Sequence, residues 1–143
     1  MTVAADFVVA IGDPDDIVAA RQAGHELARK LGFSLTDVTM IATAISEIAR
    51  NIISYTGRGE IRIGVQIRDG RQALVVHAED NGPGIPDVER AMEDGYSTGR
   101  GLGLGLPGAR RLMDRVHVES KPGKGTLIEM WKWVPDAPHR GSP

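Results

Sequence analysis

The chain has 143 residues and a formal net charge of −2, with 41% hydrophobic and 25% charged residues. This composition is ordinary for one soluble globular domain, and the lack of a basic excess argues against nucleic-acid binding. The chain contains no cysteine, which excludes disulfides, thiolate nucleophiles and cysteine-ligated metals. No apolar run is long enough to span a membrane and the N-terminus lacks a signal peptide's basic start, so we expect a cytoplasmic protein that binds no membrane.

The chain opens with a predicted strand over residues 3–11, followed by a helix start. Asp13 is suited to the N-cap and Pro14 to the first helical position, because that position needs no backbone N–H. Gly32 stands where a glycine commonly ends a helix. One amphipathic helix is therefore predicted between these two signals.

A second helix begins directly afterwards. Ser34 followed by Asp37 resembles a capping box, and the helix is expected to run to about Ser54. Apolar side chains recur every three or four residues, which predicts one buried face. The members of this stripe are Val38, Ile41, Ile45, Ile48 and Ile52.

The remainder of the chain predicts mostly strands. In residues 60–68, isoleucine and valine alternate with polar residues, Asp69-Gly70 is a strong hairpin turn, and residues 71–79 return as the partner strand. The rest predicts, in order, a short helix at about 88–92, a helix at 109–113, strands at 115–120 and 126–134, and a disordered tail over 135–143. We predict a single domain over residues 1–134: an α/β (α+β) two-layer sandwich whose mixed, mostly antiparallel sheet carries helices on one face.

Glu47 and Asn51 are the first candidate functional residues. They are four apart, so they share one side of the second helix at the edge of its buried face. A carboxylate there can act as a general base, and an amide oxygen one turn away can bind Mg²⁺. In isolation, the same pair is more typical of two solvated helix residues.

Asp80, Gly82 and Gly84 follow the end of a predicted strand. The aspartate can accept a hydrogen bond from an exocyclic amine such as that of adenine, and the glycines permit close approach of the backbone. By itself, the segment is more typical of a plain turn.

The third candidate is the glycine-rich stretch that includes Gly101, Gly103 and Gly105. Residues 103–108 match G-x-G-x-x-G, but no strand precedes them, so a dinucleotide-binding unit is not indicated. Glycines leave backbone N–H groups free to form an anion-binding concavity, which favours phosphate. Arg100 is either a further phosphate contact or a solvated arginine.

In this order, the motifs resemble the Bergerat-fold (GHKL) ATP-binding superfamily, which includes gyrase-type topoisomerases, heat-shock ATPases, histidine kinases and mismatch-repair ATPases. The matching motifs are Glu47–Asn51, Asp80–Gly84, Gly101–Gly105 and Gly125–Thr126. The segments SEIARNIISYTGRGEI and EDNGPGIPDVERAMEDGYSTGRGLGLGLPGARRLMD are also similar to the RsbT-type switch serine/threonine kinases of the bacterial stressosome.

The resemblance implies a role for each adenine-side residue. Asp80 would bind the adenine amine, with Gly82 and Gly84 beside it and Thr126 nearby through a water molecule.

On the phosphate side, the resemblance implies that Asn51 would bind Mg²⁺ and Glu47 would orient or deprotonate the attacking hydroxyl. Backbone of Gly101, Gly103 and Gly105 would hold the phosphates beneath a mobile lid of about residues 94–100. A basic residue common in histidine kinases is missing before Tyr55, so Arg50 or Arg100 is the alternative phosphate contact.

The family phosphorylates serine or threonine on STAS-domain partners. After release from these partners, it binds and activates a downstream regulator, often a PP2C-type phosphatase. The resemblance thus implies an ATP- and Mg²⁺-dependent protein kinase.

The alternative is a non-catalytic ATP-binding protein that acts by docking, as an anti-sigma factor does. Glu47 argues against it, because ATP binding alone does not need that carboxylate. Histidine-kinase and topoisomerase modules would need further domains. Trp131 and Trp133 lie two apart on one face of the last strand, and the sequence leaves open whether they are core or a partner surface.

Overall fold

The computed structural model describes residues 5–55, 57–80, 106–121, 123 and 125–135. The elements, in chain order, are β1 (Ala5–Ile11), α1 (Pro14–Lys30), α2 (Leu35–Tyr55), β2 (Gly59–Arg68), β3 (Arg71–Asp80), α3 (Leu106–Leu112), β4 (Arg115–Lys121) and β5 (Gly125–Trp133). The helix predicted at about 88–92 and the predicted tail beyond Pro135 lie outside the described residues.

The five strands form one sheet in the order β1-β2-β3-β5-β4. Each neighbouring pair is antiparallel, so the described strands show no parallel member of the mixed sheet that the sequence suggested. The reason is connectivity: β2–β3 and β4–β5 are hairpins, and β5 rather than β4 lies beside β3. The predicted two-layer α/β arrangement is confirmed.

Helix α1 begins at the predicted capping residues. The Asp13 carboxylate accepts the N–H of Asp15 at 2.8 Å, and the Asp16 carboxylate accepts the N–H of Asp13 at 3.0 Å. This reciprocal arrangement satisfies backbone donors that the first turn leaves without helical partners. After the last turn, Gly32 adopts a φ of +86°, the left-handed conformation that favours glycine.

Helix α2 also follows its predicted limits. The Ser34 hydroxyl accepts the N–H of Asp37 at 3.1 Å, and the N–H of Gly57 bonds to the carbonyl of Ile52 at 3.0 Å. The predicted apolar stripe is buried at every position: Val38, Ile41, Ile45, Ile48 and Ile52.

The β2–β3 hairpin turns at Asp69-Gly70, with positive φ at both residues, as a two-residue hairpin loop requires. Ile61 and Ile63 of β2 are fully buried, but Ile67 is 68% exposed. The predicted alternation therefore continues past the point where the helices cover the sheet.

The sheet has an inner face, which packs against α1 and α2, and an open face on its other side. The main core lies between the helices and the inner face and includes Ile63, Leu74, Val76 and Met130. Ala73, Val75 and Trp131 form a separate buried cluster on the open face. Within the described ranges, no helix has the length and apolar character needed to cross a lipid bilayer.

Candidate functional site

Helix α2 presents the predicted pair Glu47 and Asn51 near its C-terminal end. Asn51 is buried, with 6% of its surface exposed, whereas Glu47 is half-buried. An Arg50 guanidinium nitrogen lies 3.2 Å from a carboxylate oxygen of Glu47. The helix therefore holds one buried amide and one accessible carboxylate a single turn apart, about 6 Å along its axis.

A row of four residues crosses the sheet at the end of β3. Asp80 pairs with Gly59 of β2 on one side and with Thr126 of β5 on the other, and Ser120 of β4 pairs with Thr126. By the alternation of each strand, Asp80, Thr126 and Ser120 lie on the inner face. The predicted adenine-side residues Asp80 and Thr126 are thus direct neighbours in space although they are far apart in the chain.

Ser120 is a member of this row that the sequence did not indicate. Its hydroxyl lies 3.0 Å from the Thr126 hydroxyl and donates to the carbonyl of Gly125 at 3.2 Å. These contacts orient Thr126 beside Asp80. The only signal in the sequence is the alternation within residues 115–120, and it does not reveal which residue of β5 faces Ser120.

Gly59 brings the end of α2 onto this row. A methyl group at this position would lie 2.5 Å from the carbonyl oxygen of Glu79 and 2.8 Å from a methyl carbon of Ile52. The absence of a side chain therefore allows Ile52, the residue after Asn51, to pack against the end of the sheet. This close contact places Asn51 and Asp80 at the same end of the molecule.

Helix α3 receives the chain after residue 105 and packs against α2 and β4. Lys132, on the inner face of β5, donates to the carbonyl of Leu112 at 2.8 Å and lies 4.0 Å from the Asp37 carboxylate. A lysine at the end of a helix satisfies a carbonyl that has no partner within the helix. Through this contact the sheet holds α3 beside α2.

Six predicted site residues lie in the segment between β3 and α3, outside the described residues. They are Gly82, Gly84, Arg100, Gly101, Gly103 and Gly105. The described chain stops at Asp80, in the row that α2 contacts, and resumes at α3, which packs against α2.

The donors at this end of the molecule suit a nucleotide with its metal ion. Among the described residues, no three histidine, aspartate or glutamate side chains gather as a metal site. Mg²⁺ commonly binds nucleotides through one or two protein oxygens while phosphates and water complete its shell. A single buried amide oxygen at Asn51 fits that mode of binding.

Comparison with known proteins identifies the family. The family described as "Histidine kinase-, DNA gyrase B-, and HSP90-like ATPase" matches residues 36–137. Since the match spans most of the chain, the chain belongs to this family. The predicted superfamily and its use of ATP are confirmed.

Individual relatives are more specific. The chain is 53% identical over 119 residues to the serine/threonine-protein kinase RsbT of Bacillus subtilis, covering 83% of this chain and 90% of that protein. It is 35% identical over 121 residues to an anti-sigma F factor of Caldanaerobacter subterraneus subsp. tengcongensis, covering 80% of this chain and 83% of that protein. The predicted resemblance to RsbT-type kinases is confirmed, and so is the expected class of protein serine/threonine kinase.

The fold has a counterpart among solved structures. The nucleotide-free catalytic domain of histidine kinase ThkA superimposes with a TM-score of 0.54, covering 90% of this chain and 96% of that chain. At 19% sequence identity, this likeness shows the fold alone.

Proposed function

We propose that this member of the family transfers the γ-phosphoryl group of ATP to a serine or threonine of STAS-domain proteins. Released from those proteins, it binds and activates a downstream regulator such as a PP2C-type phosphatase. The observation that carries the nucleotide site is the direct pairing of Asp80 with Thr126 beside the end of α2. The 53% identity to the serine/threonine-protein kinase RsbT supports the reaction, and the resemblance of the sequence motifs to RsbT-type kinases supports the partners.

On the adenine side, Asp80 accepts a hydrogen bond from the exocyclic amine. Thr126, held by Ser120, contacts the base through a water molecule. Gly82 and Gly84 line the base where a side chain would block it. This arrangement distinguishes adenine from guanine, because guanine lacks an exocyclic amine at that position.

On the phosphate side, Asn51 would hold Mg²⁺ through its amide oxygen, and backbone N–H groups of Gly101, Gly103 and Gly105 would bind phosphate oxygens. Mg²⁺ held there would supply positive charge against the charge that develops on the phosphates. Arg100 adds a guanidinium contact to the same oxygens.

Glu47 orients the substrate hydroxyl and accepts its proton. The hydroxyl oxygen forms a bond to the γ-phosphorus, the bond to the bridging oxygen breaks, and ADP leaves with that electron pair. The Arg50 guanidinium lies 3.2 Å from one oxygen of the Glu47 carboxylate. Binding of the phosphates offers Arg50 another anion, so the carboxylate becomes available when substrate is present.

The substitution that tests the reaction is Glu47→Gln, which keeps the shape of the side chain and removes the base. With labelled ATP and a purified STAS-domain protein, we expect phosphotransfer to fall by about 10²–10⁴-fold, the usual contribution of a general base. ATP affinity is expected to stay within about two-fold, because Glu47 does not hold the nucleotide.

Asp80→Asn is the matched comparison, because it alters the adenine contact and leaves Glu47 intact. We expect ATP affinity to fall by about 10–100-fold, the value of a hydrogen bond to a charged group. Full phosphotransfer by Glu47→Gln would contradict the assigned base, and unchanged ATP affinity in Asp80→Asn would contradict the assigned adenine site.

A second candidate is a docking protein that binds ATP without transferring phosphate. The 35% identity to an anti-sigma F factor supports binding of a regulatory partner, and by itself it does not separate docking from phosphate transfer. Tight ATP binding by the wild-type chain, with no labelled STAS-domain product, would support docking and overturn the kinase proposal.

A further inference from the structure

The two tryptophans lie on the open face, away from the helices. Trp131 is 3% exposed and packs with Ala73 and Val75, while Trp133 is half-buried beside it. The two ring centroids are 5.7 Å apart and the rings are tilted by 50°. The question left by the sequence is thereby resolved, because this pair forms its own cluster rather than part of the main core.

Two arginines cover this pair instead of a helix. The Arg68 guanidinium lies 4.8 Å from the Trp131 ring centroid, and that of Arg71 lies 4.8 Å from the Trp133 ring centroid. Arg68 and Arg71 are direct partners across the β2–β3 hairpin. Like charges directly opposite each other repel, and the contacts with the rings offset that cost.

A third arginine, Arg115, extends the positive charge onto β4. It pairs with Trp131 in the sheet register and is exposed on the same face. Among the described residues, no carboxylate lies within ion-pair distance of Arg68, Arg71 or Arg115, and this includes Asp69 in the turn. We call these residues together the Arg–Trp surface: Arg68, Arg71, Arg115, Trp131 and Trp133.

Three carboxylates further along the open face already have partners. Glu60 pairs with Arg62 at 2.6 Å, Glu119 lies 3.0 Å from the His117 ring, and Glu129 accepts from Trp131 at 2.9 Å. At the hairpin end, the Asp114 carboxylate accepts the backbone N–H of Trp133 at 2.8 Å. Three arginines there stand against Asp69 and Asp114, so this end of the face keeps a surplus of positive charge.

We propose that the Arg–Trp surface docks an acidic segment of a partner protein. Guanidinium groups bind carboxylates in bidentate geometry, and tryptophan and arginine are the residues most enriched where partner side chains bury. The chain's net charge of −2 opposes the extensive phosphate contacts that nucleic acids make, so a protein segment fits better.

The surface lies far from the nucleotide site. Arg71 and Asp80 begin and end β3, a separation of about 30 Å at the rise of an extended strand. The Arg–Trp surface also occupies the open face, whereas Asp80 and Thr126 lie on the inner face. A partner docked here leaves the nucleotide site accessible, so this inference stands independently of the proposed reaction.

Tryptophan fluorescence tests the proposal directly, because the chain contains only these two tryptophans. The probe is a short synthetic peptide in which glutamate alternates with leucine, and its control carries glutamine at every glutamate position. We expect a saturable change in emission with the acidic peptide that weakens as salt rises, and none with the glutamine peptide.

The double variant Arg68→Gln with Arg71→Gln is expected to weaken binding of the acidic peptide at least ten-fold. Arg62→Gln is the matched control, because Arg62 lies on the same face but is paired with Glu60. It is expected to change the affinity by less than about two-fold, as an exposed ion pair contributes little. Arg115→Gln lies outside the hairpin and provides a second test if the double variant fails to fold. It is expected to weaken binding of the acidic peptide by about three-fold or more.

Several results would overturn the proposal. These are equal binding of the glutamine peptide, unchanged affinity in the double variant and in Arg115→Gln, and equally tight binding of a single-stranded oligonucleotide. Sedimentation velocity tests whether a second copy of the chain binds this surface instead. A dimer that forms in the wild type and is lost in the double variant would assign the surface to self-association. ATP affinity is measured on every variant and is expected to stay unchanged, because the Arg–Trp surface lies away from the nucleotide site. Failure of the proposed kinase reaction would leave peptide binding unchanged, so the two proposals can fail separately.

Discussion

The two faces of the sheet are built from different chemistry. The inner face carries aliphatic side chains that two helices cover, and Ile63, Val76 and Met130 have no exposed surface. The open face carries tryptophan, arginine, histidine and glutamate, and its apolar cluster is covered by guanidinium groups. Away from the nucleotide end, the inner face is therefore covered by the protein's own helices. The open face instead presents charged groups that another molecule can contact.

The largest predicted difference between the two faces comes from truncating one residue on each face of the same strand. Ile63→Ala, on the inner face of β2, is expected to lower the free energy of unfolding by about 2–5 kcal/mol, since it leaves a cavity in the core. Gln66→Ala, on the open face of β2, is expected to change it by less than about 0.5 kcal/mol. Urea unfolding monitored by circular dichroism measures both, and equal losses would mean that both faces contribute equally to the core.

A second prediction concerns the place where α2 meets the sheet. Gly59→Ala is expected to destabilise the fold by about 1–3 kcal/mol, because the new methyl group would overlap the backbone oxygen of Glu79. Gly108→Ala, within α3, is the control, because nothing lies within 4 Å of the added carbon. Alanine suits a helix better than glycine, so this control is expected to gain about 0.5–1 kcal/mol. An unchanged free energy of unfolding in Gly59→Ala would show that α2 and the sheet can move apart at little cost.

The smallest predicted effect is a pH dependence on the open face. Burial by itself raises the pKa of Glu129, but hydrogen bonds from Trp131 and His77, with the charges of His77 and His117, outweigh it and lower that pKa below 4.5. A lowered pKa in the folded state stabilises the fold above pH 4.5, and this contribution disappears as the pH falls through the folded-state pKa.

Glu129→Gln is therefore expected to be less stable than wild type at neutral pH, by below about 1 kcal/mol, with the difference shrinking in acid. Trp131→Phe removes one donor to the Glu129 carboxylate. Its loss of stability is likewise expected to be smaller in acid than at neutral pH. Thermal unfolding across the acid range measures both. A difference that stays constant below pH 4.5 would contradict the lowered pKa of Glu129.

Much of the local structure could be predicted because short-range rules determine it. Asp13, Ser34 and Gly32 mark helix ends through contacts within a few residues, and Asp69-Gly70 specifies its hairpin through positive φ. The burial of the α2 stripe followed from its period. Ile67 was predicted less well, because alternation indicates which side chains share a face but not how far the helices extend over it.

The candidate site was predictable only in parts. The helical spacing of Glu47 and Asn51 follows from one helix, so the sequence indicates their proximity. Ser120 and Gly59 were missed, since their roles depend on the register of β4 against β5 and on the packing of α2 against the sheet. Those contacts join segments that are distant in the chain, and the sequence pattern of either segment alone does not specify them.

The sequence by itself determined the helices and hairpins, the spacing of the Glu47–Asn51 pair, and a motif order that indicates an ATP-binding kinase. Only the tertiary structure decided that Asp80 lies beside Thr126 and that the two tryptophans lie on the open face. The physical reason is the range of the interactions. Caps, turns and periodicity depend on neighbouring residues, whereas strand order and the choice of face depend on which distant surfaces bury the most apolar area together.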